Sequence, residues 1–198
     1  CPLGNGWFNA ANTELDDIDW RVLNGITPTF GTGPVGDHTT GTADGNFIYL
    51  EASGECWGKE AILTSPCMNL SGMTGPGVVF WFNMYGEDMG ELHVDVLSDN
   101  QWHLDVIPPV IGDQGQEWIQ AIVPLFDFMG QTVNIRIRGI TGMGDKSDMA
   151  LDDFESIERT QSSWTAENAA LALADEHAAG GHCLKITVSS DGGGIKRF

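Results

Sequence analysis

Apolar positions recur at every second residue through much of this chain. Leu92, Val94 and Val96 alternate with His93 and Asp95, and Val133, Ile135 and Ile137 alternate with Asn134, Arg136 and Arg138. A period of two puts the apolar set on one face of a pleated ribbon, so each run predicts a half-exposed strand. Residues 78–84 (Val-Val-Phe-Trp-Phe-Asn-Met) are almost continuously apolar, which predicts a central strand covered on both faces. Residues 47–51, 118–123 and 149–154 supply further strands. Another is predicted over 16–20, with Ile18 and Trp20 on one face and Asp17 and Asp19 on the other. The turns between runs are rich in Gly, Asp and Asn, as at 98–101 (Ser-Asp-Asn-Gln) and 141–145 (Thr-Gly-Met-Gly-Asp). Many short strands separated by such turns predict an all-β, antiparallel two-sheet β-sandwich.

Residues 21–45 read as a loop with Pro28, Pro34 and several glycines. Within it, 31–36 (Gly-Thr-Gly-Pro-Val-Gly) has the glycine spacing of a dinucleotide-binding turn, but no strand-turn-helix unit surrounds it to receive a pyrophosphate, so that reading is rejected.

Residues 159–198 require a separate reading. Residues 164–174 suit a helix by propensity and a strand by alternation, and 184–188 alternate as a strand. Leu171 and Leu173 on the first run, and Leu184, Ile186 and Val188 on the second, form apolar sets that two strands alone cannot cover. This two-strand C-terminal extension is either the start of a second β-module or a pair of strands completed by something else. In the latter case its edges recruit other chains, and the five residues are candidate assembly positions of a head-to-tail extracellular filament.

Charge narrows the function. The 198 residues carry 9 Lys plus Arg against 28 Asp plus Glu, a formal net of -19. A field of that sign repels phosphate backbones, so nucleic acid is not an expected partner. No apolar run is long enough to span a bilayer, and no targeting segment opens the sequence, so any secretion signal is taken to have been removed or omitted. The 4 cysteines admit three pairings. Cys56 and Cys67 bracket a segment short enough to close as a local disulfide loop. Cys1 and Cys183 are left to pair together, to pair with another chain, or to stay reduced. Disulfides would place the protein outside the cytoplasm.

Catalytic chemistry is not expected. His38, His93, His103, His177 and His182 fall in separate segments outside any nucleophile or zinc motif. Asp152-Asp153 and Glu87-Asp88 are carboxylate pairs, but sequence spacing does not set the separation a glycosidase needs. Asn69-Leu70-Ser71 is a candidate N-glycosylation site.

Four stretches in order carry a family resemblance: Asp-Asp-Ile-Asp-Trp at 16–20, "GPVGDHTTG…YLEAS" over 33–53, "FWFNMYGEDMGELHVDV" at 80–96, and "GDQGQEW…MALDDF" over 112–154. Together they resemble the MAM family, extracellular domains named for meprins, a neuronal surface antigen and a receptor phosphatase. The cysteine placement and the 98–103 turn look more like bacterial secreted versions. The resemblance spans residues 1 to about 158 and implies a jelly-roll sandwich, secreted or cell-surface, that works in adhesion through other proteins or copies of itself. It also bears on a calcium site. In related jelly rolls the first and last strands lie close together, so Asp17 and Asp19, Asp37 and Thr40 on the 33–53 stretch, and Asp152 on the face of Phe154 form a candidate ligand set. The same carboxylates also suit turn and cap hydrogen bonding.

The tail from Trp164 to Thr187 resembles the opening strands of a carbohydrate-binding-type jelly roll. That makes glycans an alternative ligand class, with Trp57 and Trp102 as candidate stacking rings.

Overall fold

The computed structural model describes residues 6–11 and 15–158, together with the backbone strands at 164–167, 169–174, 183–188 and 194–197. Two antiparallel sheets enclose one core. The first runs β1 (Phe8–Asn9), β4 (Glu60–Thr64), β11 (Thr132–Ile140), β7 (Glu91–Ser98) and β8 (Gln101–His103), with β5 (Met68–Asn69) also on β11 and β9 (Val110–Ile111) also on β7. The second runs β10 (Ile119–Pro124), β6 (Pro76–Asn83), β12 (Met149–Glu158), β3 (Asn46–Leu50) and β2 (Arg21–Asn24). This is the jelly-roll β-sandwich expected of residues 1–158.

The two-residue period explains the core. Val133, Ile135 and Ile137 of β11 and Leu92, Val94 and Val96 of β7 point inward and are buried. They meet Val78, Phe80 and Phe82 of β6 and Leu151 of β12 from the other sheet. Fully burying one such side chain stabilises by roughly 1.5–3 kcal/mol. Trp20 is 2% exposed, and Asn9 clasps its backbone from both sides, donating to its carbonyl at 3.0 Å and accepting from its N–H at 3.0 Å. Asp99 and Asn100, both at positive φ, close the β7–β8 hairpin in two residues, as the Ser-Asp-Asn-Gln sequence predicts.

The run 16–20 is not a strand; the edge strand β2 begins at Arg21, inside the segment read as loop. The cause is side-chain competition. Asp16 is buried and accepts the Ile62 N–H at 2.7 Å, while the N–H groups of Asp17 and Ile18 both donate to the Glu60 carbonyl. The segment is pinned across the end of β4 by these bonds and forms no continuous ladder.

Cys56 and Cys67 are not bridged; both are free thiols. The extended strand β4 lies between them, and at about 3.3 Å per residue it holds its own ends well beyond the roughly 7 Å that a disulfide spans between Cα atoms.

The chain divides into two compact units, 1–158 and 159–198. The second contains β13 (Trp164–Glu167) paired with β16 (Gly194–Arg197), and β14 (Ala169–Ala174) paired with β15 (Cys183–Val188). Four strands therefore replace the two expected. Leu171 stands opposite Ile186 and Leu173 opposite Leu184, with Val188 opposite Ala169 at the end of the ladder. Cys1 lies outside the described residues, so the pairing of Cys1 and Cys183 does too.

Candidate functional site

The Gly33–Ser53 stretch folds onto a β-bulge in β12. Asp37 accepts the Thr40 hydroxyl at 2.6 Å and the N–H groups of Thr40 and Thr42, which closes the turn. The Thr40 hydroxyl bond and these backbone donors hold the Asp37 carboxyl below its ordinary range. His38 stacks on Trp81 with ring centroids 3.8 Å apart and donates its N–H to Asp152 Oδ2 at 2.9 Å. Its ring Nδ1 and the Thr39 hydroxyl both contact Asp153, at 2.7 Å each. Asp153 sits at φ 49°, where the register of β12 against β6 shifts. The bulge reverses the expected parity: Asp152 pairs outward with Trp81, whereas Phe154 turns in to stack on Phe80 at 5.1 Å. Burial raises the Asp152 carboxyl, and the charges of Asp153 and Asp37 push in the same direction against the N–H bonds from His38 and Asp153.

Of the five expected calcium ligands, the structure thus brings Asp37, Thr40 and Asp152 into one neighbourhood. Asp17 lies against β4 of the other sheet, accepting the Glu60 N–H and facing Lys59 Nζ at 3.5 Å, and Asp19 lies close enough to Asp16 for its charge to act there. The oxygens of Asp37 and Asp152 are engaged with backbone and hydroxyl donors, as turn and cap carboxylates are. Among the described residues, no three His, Cys, Asp or Glu side chains group as metal ligands.

A different oxygen has no donor. Asp148 precedes β12 and is wholly buried; its Oδ1 accepts the Ala52 N–H at 2.9 Å, while Oδ2 has no hydrogen-bond partner. The β3–β12 ladder pairs Met149 with Leu50, so the next step outward sets Asp148 against Glu51. Like charges at opposed positions repel. Burial, with the Glu51 charge added to it, pushes the Asp148 carboxyl up to about 7. Thr27 is its other polar neighbour and acts against that rise, while its hydroxyl also contacts the Thr32 carbonyl at 2.8 Å. Two carboxylates, a threonine hydroxyl and nearby carbonyls form an all-oxygen donor set that suits calcium, which accepts neutral oxygens beside carboxylates. Asp148 does not stand out in the sequence, and Glu51 enters there only as part of the 33–53 stretch with no role of its own; the register that opposes them is not visible there.

Asp148 is also where four loops meet. Its N–H donates to Thr32 Oγ1 at 2.9 Å, and that hydroxyl donates to the Tyr85 carbonyl at 2.8 Å. Gly33 N–H also reaches Tyr85, Gly58 N–H reaches Gly142, and Trp57 Nε1 donates to Asp145 Oδ1 at 2.8 Å. The tips of these joined loops expose Phe30 (96%), Val35 (82%), Met143 (80%) and Trp57 (46%).

The other candidate positions are dispersed. Asn69 is exposed on β5, with its side-chain oxygen accepting the Ser71 N–H. Trp102 lies on β8, with the Arg136 guanidinium 4.0 Å from its ring centroid, whereas Trp57 lies on a loop; the two rings form no common platform.

A model of the MAM domain, described as meprin/A5/mu, matches residues 5–162. Neuropilin-1 of Xenopus laevis is 36% identical over 139 residues, covering 70% of this chain and 14% of that protein. Human MAM domain-containing protein 2 is 33% identical over 137 residues, covering 69% of this chain and 19% of that protein. A MAM domain-containing glycosylphosphatidylinositol anchor protein 1 of Gallus gallus is 32% identical, covering 71% of this chain and 15% of its own length. The chain therefore spans less than a fifth of each of these relatives. Among solved structures, the K2 cleaved adhesin domain of Lys-gingipain matches with a TM-score of 0.50 at 14% identity, covering 77% of this chain and 89% of that one, which speaks for the sandwich alone. With its four motifs in order and the sandwich they imply, the chain belongs to the MAM domain family.

Proposed function

We propose that residues 1–158 are a non-catalytic extracellular interaction module that binds other proteins through the loop end of the sandwich and is steadied by calcium. The observation that carries this reading is the apolar exposure at that end. Phe30 is 96% exposed, and Val35, Trp57 and Met143 stand out on loops hydrogen-bonded to one another. Large apolar side chains on joined loops of a strongly acidic chain suit a contact site. Membership of a family whose members include a surface-anchored protein supports an extracellular setting.

The test is to screen the chain against an array of extracellular proteins, with the chain itself among them, beside a Phe30→Ser/Val35→Ser/Met143→Ser variant. The wild type is expected to give hits that the variant loses by tenfold or more. A variant that keeps every hit would remove the loop end from the account. A wild type with no hit would remove the interaction module.

The filament reading rests on one observation in the second unit. β14 and β15 form a sheet of two strands, leaving an outer edge on each strand without a ladder partner among the described residues. Open edges accept strands from other chains. Deleting residues 160–198 and comparing both forms by size-exclusion chromatography and negative-stain microscopy tests it; a full chain that stays monomeric at high concentration rules it out.

A further inference from the structure

We propose that the cleft at the opposite end of the sandwich, between the β7–β8 hairpin and the connection from β10 to β11, binds a neutral saccharide. β7 starts near the apolar loops at Glu91 and reaches this cleft at Ser98. The site therefore lies the length of a strand from the protein contact proposed above and does not depend on it.

The cleft has a volume of about 510 Å³, within the roughly 300–1,000 Å³ of small-ligand pockets. One wall is the tight hairpin, with Asp99, Gln101 and His103. The other is the short helical turn Phe126–Phe128 and the residues after it, with Phe126, Asp127 and Gln131. Both walls are held in place by the fold itself. Leu125 is wholly buried and donates its N–H to the Pro76 carbonyl, and buried Phe128 takes the His103 ring edge-on at 5.0 Å. The buried Ser98 donates its hydroxyl to Gln131 Oε1, which orients the carboxamide and leaves its two N–H donors to the cleft.

Three features name the ligand class. Among the described residues, the side chains of Asp99, Gln101 and Asp127 make no hydrogen bond or ion pair, whereas Asp37 and Asp152 have both oxygens engaged. Carboxylates that accept and carboxamides that both donate and accept complement neighbouring hydroxyls, each of which does both. Second, Phe126 is exposed beside these groups and offers an aromatic face to the apolar C–H side of a sugar ring. Third, no Lys or Arg lines the cleft while two carboxylates do, so sulfated, phosphorylated or carboxylated ligands are repelled. A basic peptide is the rival ligand. Its lysine or arginine side chains would answer the carboxylates, but they carry no acceptor for the Gln131 donors.

The experiment probes the full chain on an array of neutral oligosaccharides of glucose, galactose, mannose and xylose beside sialylated and sulfated glycans. The neutral oligosaccharide bound most strongly is then titrated by calorimetry into the wild type, Phe126→Ala, Gln101→Ala and the loop-end variant Phe30→Ser/Val35→Ser/Met143→Ser. The wild type binds neutral glycans and passes over the anionic ones. Phe126→Ala and Gln101→Ala each lose about tenfold or more in affinity while melting with the wild type, because both side chains are exposed. The loop-end variant keeps the wild-type affinity, which separates this site from the protein contact. Raising salt to about 1 M, where charges are screened beyond roughly 3 Å, leaves the affinity unchanged. An array without a neutral hit, a preference for anionic glycans, or an affinity that survives both substitutions overturns the proposal. Binding of a lysine-rich peptide that high salt removes and Asp99→Asn/Asp127→Asn abolishes, with no neutral glycan bound, would assign the cleft to a basic protein segment instead.

Discussion

Asp95 and Asp148 are both fully buried carboxylates, and their surroundings drive them in opposite directions. Asp95 accepts Arg136 Nε at 2.8 Å, Arg138 Nε at 2.7 Å and the Asp105 N–H at 2.9 Å. Burial raises its carboxyl, but the bonds from Arg138, Asp105 and Arg136 outweigh burial and hold it below the ordinary range. A carboxyl lowered by folding contributes stability above its unfolded value and loses it as pH falls through the folded one. Replacing Asp95 with Ala should therefore cost about 3 kcal/mol at neutral pH, by taking the buried anion from Arg136 and leaving Arg138 only the longer contacts to Glu60 and Asp105. The cost should shrink below the ordinary carboxylate range, where the wild-type partner is itself being neutralised. Urea unfolding of both proteins at neutral and strongly acidic pH checks this; an equal difference at the two pH values would contradict it. Asp95 shows in the sequence only as the polar step of an alternating run, and nothing there tells it from Asp148. What separates them is the arginine pair across the β11–β7 register in one case and Glu51 across the β3–β12 register in the other. A linear pattern carries no register between distant strands, so the chemistry of these two positions was not legible.

Strands were the most legible elements. The alternating runs of β7 and β11 and the apolar run of β6 lie where their periods put them, because one face or both had to be buried. The run at 16–20 alternates as well, yet Asp16 takes the Ile62 N–H and draws the segment out of a ladder. The bulge in β12 was likewise invisible, since a period of two cannot show that Asp153 adopts positive φ and reverses the parity of Phe154. The Gly33–Ser53 stretch, one of the four that carry the family resemblance, organises an element: a loop locked by Asp37 and docked on that bulge by His38. Gly45 is part of the lock, because a Cβ there would stand 2.0 Å from Asp37 Cγ. Gly45→Ala should break the Asp37 bonds and cost roughly 1–3 kcal/mol, as overpacking does. The loss should be equal in calcium and in chelator, and thermal melts in both buffers measure it. A loss confined to calcium would return Asp37 to the ligand set.

For the whole molecule, the jelly-roll sandwich and its family were readable because four motifs fall in order over one continuous span. The proposed contact surface was not. Phe30, Val35, Trp57 and Met143 are scattered across more than a hundred positions and become neighbours only through the loop contacts around Thr32, Tyr85, Gly142 and Asp148. A chain of net charge -19 that shows large apolar groups at one end of its sandwich must hold those loops in place against their own entropy. The ion beneath them is the device proposed for that. Hydrogen exchange of the wild-type chain in calcium and in chelator measures it most directly. The account predicts that calcium slows exchange in residues 26–33, 51–58 and 142–148 by tenfold or more, leaving residues 37–44 and the β7–β8 hairpin unchanged. Equal exchange in both buffers, or protection centred on 37–44 and 152–153, would contradict it.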